Sequence, residues 1–354
     1  MTSKLRVLLS GPGLMGRKHI ALLRENSDVH LAAIVAPERS AGVGFAAGLG
    51  VRCFSSVQEA IDSEKIDAAI ISSPNPFHYK QAMPCIENGI PTLVEKPLTD
   101  SLETARAVVA AADERKVSVL VGHHRRYNPL LEIARRFLTS EKFGDPVCVL
   151  GSALFYKPAA YFASAPWRTR LGGGPMLINM IHEVANWRFL VGEIESVTAK
   201  LSRHARKFEV EDSAAMTFTF MNGAIGAFLL SDASASSKSW EMTAGENPAY
   251  PHFPEQNCYH FSGSMGSLDF PSMRFRTYLG KPTRSWWEPF LEGQIPIEHQ
   301  DPFANQLRHF VDVVRGNAAP IESAAEGYRN MLVVEALVQA ARTGREVRIS
   351  ELAG

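Results

Sequence analysis

A carboxylate, an ammonium group and a proline end one apolar stretch of this chain, in the order Glu95-Lys96-Pro97. The residues before them are typical of a buried strand that ends at Val94. Pro97 biases Lys96 toward an extended conformation and prevents a helix from continuing. In an open parallel sheet, ligands bind beyond the carboxyl ends of the strands. A lysine held there beside a glutamate can donate or accept a proton, so Lys96 is a candidate general acid and base. The alternative is an ordinary ion pair at the surface.

A second signal lies near the N-terminus, where the pattern G-x-G-x-x-G directly follows an apolar run over residues 5–10. At a strand-to-helix turn, the first glycine makes the turn and the second lets the backbone approach a pyrophosphate. The third lets the helix pack on the strand, and the helix N-terminus supplies N–H donors. The pattern therefore predicts a dinucleotide site formed by Gly11, Gly13, Leu14, Met15 and Gly16.

The end of the second predicted strand, over residues 31–35, bears on which dinucleotide binds. An acidic residue at this end normally binds the 2′-hydroxyl of NAD, and here the position is Ala36. Arg39 and Ser40 could instead meet the 2′-phosphate of NADP. Two alternatives stay open, since Arg39 could be solvated at a helix start and Glu38 could still reach the ribose. We favour NADP(H) over NAD(H).

Strand and helix patterns alternate through the first third of the chain. Polar residues follow two more predicted strands: Ser73, Asn75 and His78 come after residues 67–72, and Arg126 comes after residues 117–121. This alternation predicts a doubly wound parallel sheet, with these residues at the carboxyl ends of its strands.

The whole-chain composition limits the possible functions. A length of 354 residues suits two domains, and 37 basic and 37 acidic residues give no footprint for nucleic acid or an anionic membrane. No apolar run is long enough to span a bilayer, and the N-terminus lacks the features of a signal peptide. The four cysteines show neither metal-site nor disulfide spacing, so we expect a cytoplasmic protein without a metal site.

In combination these motifs resemble the Gfo/Idh/MocA oxidoreductase family, which includes glucose–fructose oxidoreductase, inositol dehydrogenases and dihydrodiol dehydrogenases. The resemblance rests on the glycine turn, Ser73-Pro74-Asn75 followed by His78, Glu95-Lys96-Pro97, and Gly122 with Arg126-Tyr127 and Pro129. It covers essentially the whole chain.

The resemblance implies an α/β fold with a Rossmann domain over residues 1–123. An α/β domain with a large, mostly antiparallel open sheet would follow over residues 124–354. The resemblance also implies an NAD(P) cofactor and a polyol-like substrate, with Lys96 beside both and often a cis peptide before Pro97. By the same resemblance, the residues that bind the cofactor or position the lysine would include Ser73, Asn75, His78, Glu95 and Arg126.

A glycine-rich loop, Gly172-Gly173-Gly174-Pro175, precedes a predicted helix over residues 175–190 that carries His182. A histidine on an apolar helix is more often packed or solvated than catalytic. The resemblance, however, implies that His182 faces the nicotinamide and binds or protonates the substrate oxygen. It also implies that Trp167 and Arg168, in the family's Trp-Arg element, border the substrate.

Two positions of this helix depart from the family pattern. The family has an aspartate four residues before the histidine and another acid three residues after it. Here these positions are Ile178 and Ala185. Asn179 is one position from the aspartate slot, about 100° around a regular helix, so we expect that it cannot simply replace it. Lys96 and His182 would then carry the proton chemistry, with Asn179 as a substrate contact.

Cations near the expected pocket bear on the substrate. Lys157, Tyr161, Arg168 and Arg170 lie in segments that border the pocket by resemblance. The cations among them suggest an anionic substrate, such as a sugar acid or a carboxylated dihydrodiol. Ordinary salt bridges within the loop are the alternative.

The last part of the chain predicts sheet and assembly. Asn222-Gly223 between two apolar runs is a hairpin signal, and further strands are predicted after it over residues 259–270 and 274–279. A broad sheet needs its second face covered, and in the family that face commonly forms the subunit interface. We therefore expect a homodimer or a homotetramer.

These patterns predict an NAD(P)-dependent dehydrogenase or reductase. It would transfer a hydride between the nicotinamide and a CH–OH or C=O carbon of a small polyol, sugar or sugar acid. One alternative is dehydrogenation of a cis-dihydrodiol, including a carboxylated one. The other is a catalytically silent NAD(P)-sensing regulatory protein, which the residues at positions 178 and 185 favour slightly.

Overall fold

The structure is a computed structural model that describes residues 3–36 and 39–352, without the side chains of residues 39–43. The chain divides into two compact units. The first comprises the residues up to Tyr127 together with Asp301–Met331, and the second comprises Asn128–Gln300 and the residues from Leu332 onward. The single domain boundary predicted after residue 123 does not account for the return of Asp301–Met331 to the first unit.

The strands and helices are numbered in chain order. The strands are β1 (Leu5–Ser10), β2 (Val29–Val35), β3 (Arg52–Phe54), β4 (Ala68–Ile71), β5 (Thr92–Val94), β6 (Val119–Val121), β7 (Pro146–Leu154), β8 (Ile194–Ser202), β9 (Ser213–Phe220), β10 (Ile225–Ser231), β11 (Tyr259–Gly263), β12 (Gly266–Phe270), β13 (Arg274–Thr277), β14 (Leu291–Gln294) and β15 (Val347–Arg348). The α-helices are α1 (Leu14–Glu25), α2 (Arg39–Gly48), α3 (Val57–Ser63), α4 (His78–Glu87), α5 (Leu102–Arg115), α6 (Pro129–Leu138), α7 (Ala159–Ala163), α8 (Ile181–Leu190), α9 (Trp240–Thr243), α10 (Pro302–Val314) and α11 (Ala324–Thr343). Among the described residues, no helix is both long and apolar enough to cross a membrane.

The first unit contains a parallel sheet in the order β3-β2-β1-β4-β5-β6. The strands β4, β5 and β6 are short, mostly apolar runs that are wholly buried, as expected for strands covered on both faces. The chain proceeds outward from β1 to β3 and then returns to β4, so the direction reverses between β1 and β4. Ligands bind at such a reversal in open α/β sheets. The doubly wound sheet predicted from the sequence is confirmed.

Helix α10 explains why residues beyond 300 belong to the first unit. Its apolar side chains Leu307, Phe310 and Val311 share one core with residues of β1, β2 and α1. Asp301 begins the helix, because its carboxylate accepts hydrogen bonds from the N–H groups of Phe303 and Ala304, at 2.8 and 3.3 Å. The packing of this helix therefore stabilises the parallel sheet of the first unit.

The second unit contains one mixed sheet in the order β14-β13-β12-β11-β7-β10-β9-β8-β15. Its neighbouring strands are antiparallel except β7 and β10, which run parallel. The hairpin predicted at Asn222-Gly223 joins β9 to β10, with the Asn222 amide oxygen accepting from the N–H of Ala224 at 3.1 Å. The mostly antiparallel second sheet is confirmed.

Two details of this sheet differ from the sequence expectation. The strand expected over residues 259–270 is a pair, β11 and β12, because the chain turns at Ser264-Met265. The strands β8, β14 and β15 were not predicted.

The two faces of this sheet differ in their cover. On one face, Trp187 of α8 packs edge-on against Phe218 and Phe228, with ring centroids 5.1 and 5.2 Å apart. The opposite face carries apolar side chains that remain exposed, namely Leu150, Ile225, Ala227 and Leu229. Alternation along the strands thus produces one packed face and one apolar face open to solvent.

Candidate active site

The turn between β1 and α1 is built so that only glycine fits at its two ends. Gly11 has a φ of +84°, and a Cβ on it would lie 2.4 Å from the backbone nitrogen of Ser73. A Cβ on Gly16 would lie 2.2 Å from the carbonyl oxygen of Gly11. The sequence therefore forces α1 to approach the strand ends closely.

The N-terminus of α1 fits a phosphate group. Gly13 is the N-cap residue, no side chain caps the helix, and no acidic residue lies in its first turn. A Cβ on Gly13 would meet no heavy atom within 4 Å, so the space beside the turn is open. The first-turn N–H groups, including those of Leu14 and Met15, are thus left without a side-chain acceptor and can bind the pyrophosphate of a dinucleotide.

The ribose position at the end of β2 is described only in part. Ala36 is buried and directly follows the strand. Pro37 and Glu38 lie outside the described residues, as do the side chains of Arg39 and Ser40. The NADP prediction therefore remains a prediction.

His78 connects two of the loops at the carboxyl edge of the first sheet. Its Nδ1 lies 2.9 Å from the carbonyl oxygen of Pro97, and its Nε2 lies 2.8 Å from that of Ser73. Burial lowers the pKa of His78, against the opposing effect of the two carbonyl groups and of Glu95. With both nitrogens facing main-chain oxygens, His78 holds the loop after β4 against the loop after β5.

The loop after β4 also carries Ser73 and Asn75, two predicted cofactor-binding residues. The hydroxyl groups of Ser10 and Ser73 both donate to the side-chain oxygen of Gln81, at 2.9 and 2.7 Å. Asn75 begins a short 3₁₀-helix, Asn75–Phe77, directly before α4. Gln81 was not predicted, although it lies three residues after His78 on the same helix face.

Glu95 is a buried carboxylate with a partner that was not predicted. Its Oε1 lies 2.8 Å from Nε2 of His19, and both side chains are almost fully buried. Burial alone would raise the pKa of Glu95. The hydrogen bond and charge of His19, with the charges of His124 and Lys96, outweigh burial and hold this pKa below its ordinary value. His19 lies one helical turn after Gly16, and this spacing was the signal available in the sequence.

Lys96 follows Glu95 directly and stands between two fixed points. The Lys96–Pro97 peptide bond is cis, as the family resemblance implied. A Cβ on Gly122 would lie 2.9 Å from the carboxyl carbon of Glu95, so the end of β6 leaves room for the carboxylate only because it is glycine. The backbone of Lys96 therefore directly follows a residue that is held by the buried His19–Glu95 pair and by the close approach of Gly122.

Arg126 lies after β6, in the 3₁₀-helix His124–Tyr127. Its Nε is 3.7 Å from Oε1 of Glu322, which is also in the first unit. The start of this 3₁₀-helix is held by stacking of His124 on Phe303, with ring centroids 4.1 Å apart. The first unit thus gathers its predicted candidates at the carboxyl ends of β1, β4, β5 and β6.

In the second unit, two of the three glycines, Gly173 and Gly174, allow close packing of two loops. A Cβ on Gly173 would lie 2.7 Å from the carbonyl oxygen of Trp167. Gly174 has a φ of +80° and lies against Glu211, whose Oε1 accepts a hydrogen bond from the N–H of Met176 at 2.8 Å. Burial raises the pKa of Glu211. Glu211 thereby caps the segment that leads to His182.

The helix predicted over residues 175–190 is not a regular α-helix throughout. Met176–Met180 is a π-helical turn, and α8 begins only at Ile181. Residues in a π turn are rotated by less than in an α-helix, so the regular-helix argument about Asn179 does not apply here. Asn179 is buried, and His182 is buried on α8.

A polar network around Asn179 went largely unpredicted. Lys157 Nζ donates to the Asn179 side-chain oxygen at 2.7 Å and lies 3.7 Å from Oδ2 of Asp232. Asp232 also pairs with Arg206, whose Nε lies 2.7 Å from Oδ1. The sequence suggested only Lys157 and Asn179, because Arg206 and Asp232 reach the network through the sheet.

Arg168 is held by its own loop. One of its terminal nitrogens, Nη1, donates to the carbonyl oxygen of Tyr161, and its guanidinium lies 3.8 Å from the centre of the Tyr161 ring. Trp167 is about half exposed beside it, while Arg170 is exposed. Among the described residues, Arg168 is held by hydrogen bonds and a ring contact rather than by the salt bridges expected as the alternative, and these contacts use only part of the guanidinium.

Two family models match the sequence. A model described as an oxidoreductase family with an NAD-binding Rossmann fold matches residues 5–123, and the GFO/IDH/MocA C-terminal domain matches residues 131–269. The chain belongs to the Gfo/Idh/MocA oxidoreductase family. It is therefore an oxidoreductase, and its first unit is an NAD-binding Rossmann fold.

Several relatives of this Gfo/Idh/MocA protein are informative. The 1,5-anhydro-D-fructose reductase of Ensifer adhaerens is 26% identical over 314 residues, 88% of each chain. The WlbA dehydrogenase from Bordetella pertussis, solved with NADH and UDP-GlcNAcA, has a TM-score of 0.77 at 22% identity over 98% of each chain. An oxidoreductase from Agrobacterium radiobacter, solved with NAD⁺, L-tartaric acid and magnesium, has a TM-score of 0.79 at 20% identity, covering 99% of this chain and 100% of that one. These two structures share the fold.

The buried pair in this family member generates a stability prediction. His19→Ala should lower the free energy of unfolding by about 3–5 kcal/mol, because it leaves the buried Glu95 carboxylate without its partner. In the wild type, the contribution of Glu95 is present above its ordinary pKa of 4.5 and is lost as pH falls through the lower folded value. In the variant, burial is opposed only by the charges of His124 and Lys96, so we expect the pKa of Glu95 to rise above its wild-type value and the loss of stability to be larger at neutral pH than in acid.

Urea unfolding at a series of pH values, followed by circular dichroism, measures this effect. Tryptophan fluorescence would not serve, since all five tryptophans lie between residues 167 and 287. The control is Lys18→Ala, which removes the exposed pair with Asp301 and should cost less than about 1 kcal/mol. An equally small loss for His19→Ala would contradict the prediction.

Proposed function

We propose that this protein is an NAD(P)-dependent dehydrogenase or reductase acting on a CH–OH or C=O carbon of a small polyol, sugar or sugar acid. The observation that carries the proposal is the grouping of Lys96, the buried Glu95 and the uncapped glycine turn at one edge of a Rossmann sheet. The named activity of the Ensifer reductase and the ligands of the two structural relatives support a sugar-like substrate.

The cofactor binds, in this proposal, along the carboxyl edge of the first sheet. Its pyrophosphate lies on the N–H groups after Gly11, where the turn is open and uncapped. Ser73, Asn75 and Arg126 position its remainder, and His78 acts by holding the adjacent loops. When bound, the nicotinamide supplies the hydride acceptor or donor.

Lys96 is the proposed general acid and base, and His182 binds or protonates the reacting oxygen. Lys96 directly follows the buried Glu95, and its side chain can donate a proton to the forming hydroxyl during reduction and accept one from it during oxidation. Asn179 cannot exchange a proton near neutral pH, so the aspartate function of the family is not restored by it.

Acid–base catalysis predicts the effect of changing the lysine. Lys96→Ala should lower kcat by a factor of about 10²–10⁴. Lys96→Arg should be similarly inactive, because a guanidinium keeps charge but does not release its proton. Reduction of NAD⁺ and NADP⁺ with a panel of polyols, sugars and sugar acids provides the measurement.

The exposed Lys80 of α4 provides the matched control, and Lys80→Ala should retain wild-type turnover. Activity of Lys96→Arg near the wild-type level would show that only positive charge is needed. Cofactor binding without turnover on any substrate would favour the NAD(P)-sensing alternative, to which Ile178 and Ala185 point.

For the cofactor we propose a preference for NADP(H), supported by Ala36 at the position of the usual ribose-binding acid. The stripped protein should therefore bind NADPH more tightly than NADH, by about tenfold or more, the scale of one hydrogen bond to a charged group. Ala36→Asp should reverse the order, since a carboxylate accepts from a ribose hydroxyl and repels a 2′-phosphate. Fluorescence titration of both proteins with both dinucleotides measures this.

Tighter binding of NADH by the wild type would show that the prediction is wrong. This chain would then resemble the two structural relatives, whose crystals contain NADH and NAD⁺.

We also propose that the protein is a homo-oligomer that covers the exposed sheet face of Leu150, Ile225 and Leu229. Contiguous apolar surface of this kind marks protein interfaces. Leu229→Glu should shift the molar mass from the assembly toward the monomer, as measured by light scattering after gel filtration. Met221→Glu, an exposed residue at the hairpin turn outside this face, is the control. A monomeric wild type at micromolar concentration would refute the proposal.

A further inference from the structure

Lys157 is a lysine inside the second unit, with only 9% of its surface exposed. Its ammonium nitrogen lies 5.4 Å from the ring centre of Phe155 and 5.0 Å from that of Tyr161. Burial lowers the pKa of Lys157, and Asp232 opposes that effect more than Glu241 does. Because burying an ammonium group is costly, its surroundings must compensate with acceptors.

The hydrogen bond from Lys157 fixes the orientation of Asn179. An ammonium group has three donors and no acceptor, so the atom of Asn179 that lies 2.7 Å from it must be the amide oxygen. The amide NH₂ group then points away from Lys157. This group has no hydrogen-bond acceptor among the described residues, although 8% exposure makes Asn179 a buried side chain.

An amide NH₂ group without a protein acceptor needs a ligand or water to complete it, and this nitrogen is not among the fully buried unpartnered atoms of the described residues, so a ligand can reach it. The family's aspartate would present acceptor oxygens to a substrate hydroxyl. Here Ile178 occupies that position, and the adjacent amide presents hydrogen-bond donors instead. Hydrogen-bond donors therefore stand at this place, where the family has hydrogen-bond acceptors.

Further positive charge adjoins this pair. Arg206 already occupies Oδ1 of Asp232 at 2.7 Å, so Asp232 is shared between two cations. The guanidinium of Arg168 lies 3.8 Å from the centre of the Tyr161 ring and donates only through Nη1, to the Tyr161 carbonyl oxygen and to Ser164. Its Nε and Nη2 have no hydrogen-bond acceptor within the described part of the chain.

We propose that Lys157 and Asn179 form a carboxylate-binding pair, assisted by Arg168, that selects sugar acids over neutral polyols and sugars. This inference rests on the proposed dehydrogenase function and deepens it. A carboxylate has only acceptors, and so it matches an outward-facing amide NH₂ and the open edge of a guanidinium. A neutral polyol would have to orient its hydroxyl groups as acceptors and would gain nothing from the positive charge.

A purely structural role for Lys157 makes a different prediction. If the lysine only holds Asn179 and Asp232 in place, its loss would lower kcat/KM for acids and for their neutral counterparts by the same factor. Discrimination between matched acid and neutral substrates is therefore the readout that separates the two roles.

The experiment compares aldonates, uronates and aldarates, L-tartrate included, each with the neutral aldose or alditol of the same carbon skeleton. The wild-type kcat/KM should favour the acid of at least one pair by about tenfold or more. Asn179→Asp keeps the side-chain size but replaces the donor with a carboxylate, so it should remove that preference by lowering kcat/KM for the acid far more than for its neutral partner. Lys157→Met should also remove it, and Asp232 keeps Arg206 as its partner in that variant.

Two exposed residues provide matched controls. Lys238→Met and Asn317→Asp make the same chemical changes on the surface and should leave the preference unchanged. If Lys157→Met does not fold, the isosteric Asn179→Asp variant decides alone.

Calorimetric binding of the same acids to the cofactor-saturated protein gives a second readout that needs no turnover. Acid binding that is at least about tenfold weaker in Asn179→Asp supports the pair even if no substrate is turned over, in which case only the dehydrogenase assignment fails. Turnover of neutral sugars as good as that of every matched acid overturns the pair and leaves the dehydrogenase assignment intact. Acids that bind no more tightly than neutral partners likewise overturn it.

Discussion

The buried carboxylate of Glu95 is the constraint on which the first unit depends. A carboxylate placed among apolar strand ends costs several kcal/mol unless a charged or hydrogen-bonding partner accompanies it. His19 is that partner at 2.8 Å, and it lies on the helix that begins at the glycine turn. The same hydrogen-bonded pair therefore fixes the distance between α1 and the end of β5. It connects the turn with open N–H groups to the strand end that carries Lys96.

The second unit applies the same constraint with the opposite charge. Lys157 is buried, and its partners Asn179 and Asp232 come from a helical turn and from the end of β10. In each unit a glycine-rich loop precedes the helical segment that supplies a partner, because close approach of backbone to backbone excludes a Cβ there. Gly16 and Gly173 thus contribute indirectly to the two polar sites, because they permit the close packing that brings a polar side chain to a buried charge.

Much of this arrangement could be predicted from local patterns. The parallel sheet, the glycine turn, the position of Lys96 at a strand end and the Asn222-Gly223 hairpin all follow from periodicity and turn chemistry, and the structure confirms these elements. The partners of the buried charges could not be predicted in the same way. His19 and Glu95 are 76 residues apart, and Arg206 reaches Asp232 across 26. Such pairs depend on the sheet register, which no local pattern encodes.

The π turn at Met176–Met180 shows why motif transfer fails at Asn179. Counting residues along a regular helix placed Asn179 about 100° from the aspartate position and left it only as a substrate contact. In the folded chain, the wider turn accompanies a hydrogen bond from Lys157 that leaves the amide NH₂ group facing outward. An amide cannot exchange protons, but it can select what binds. In the function proposed here, the loss of the family aspartate therefore alters which substrate is held, while proton chemistry stays with Lys96 and His182.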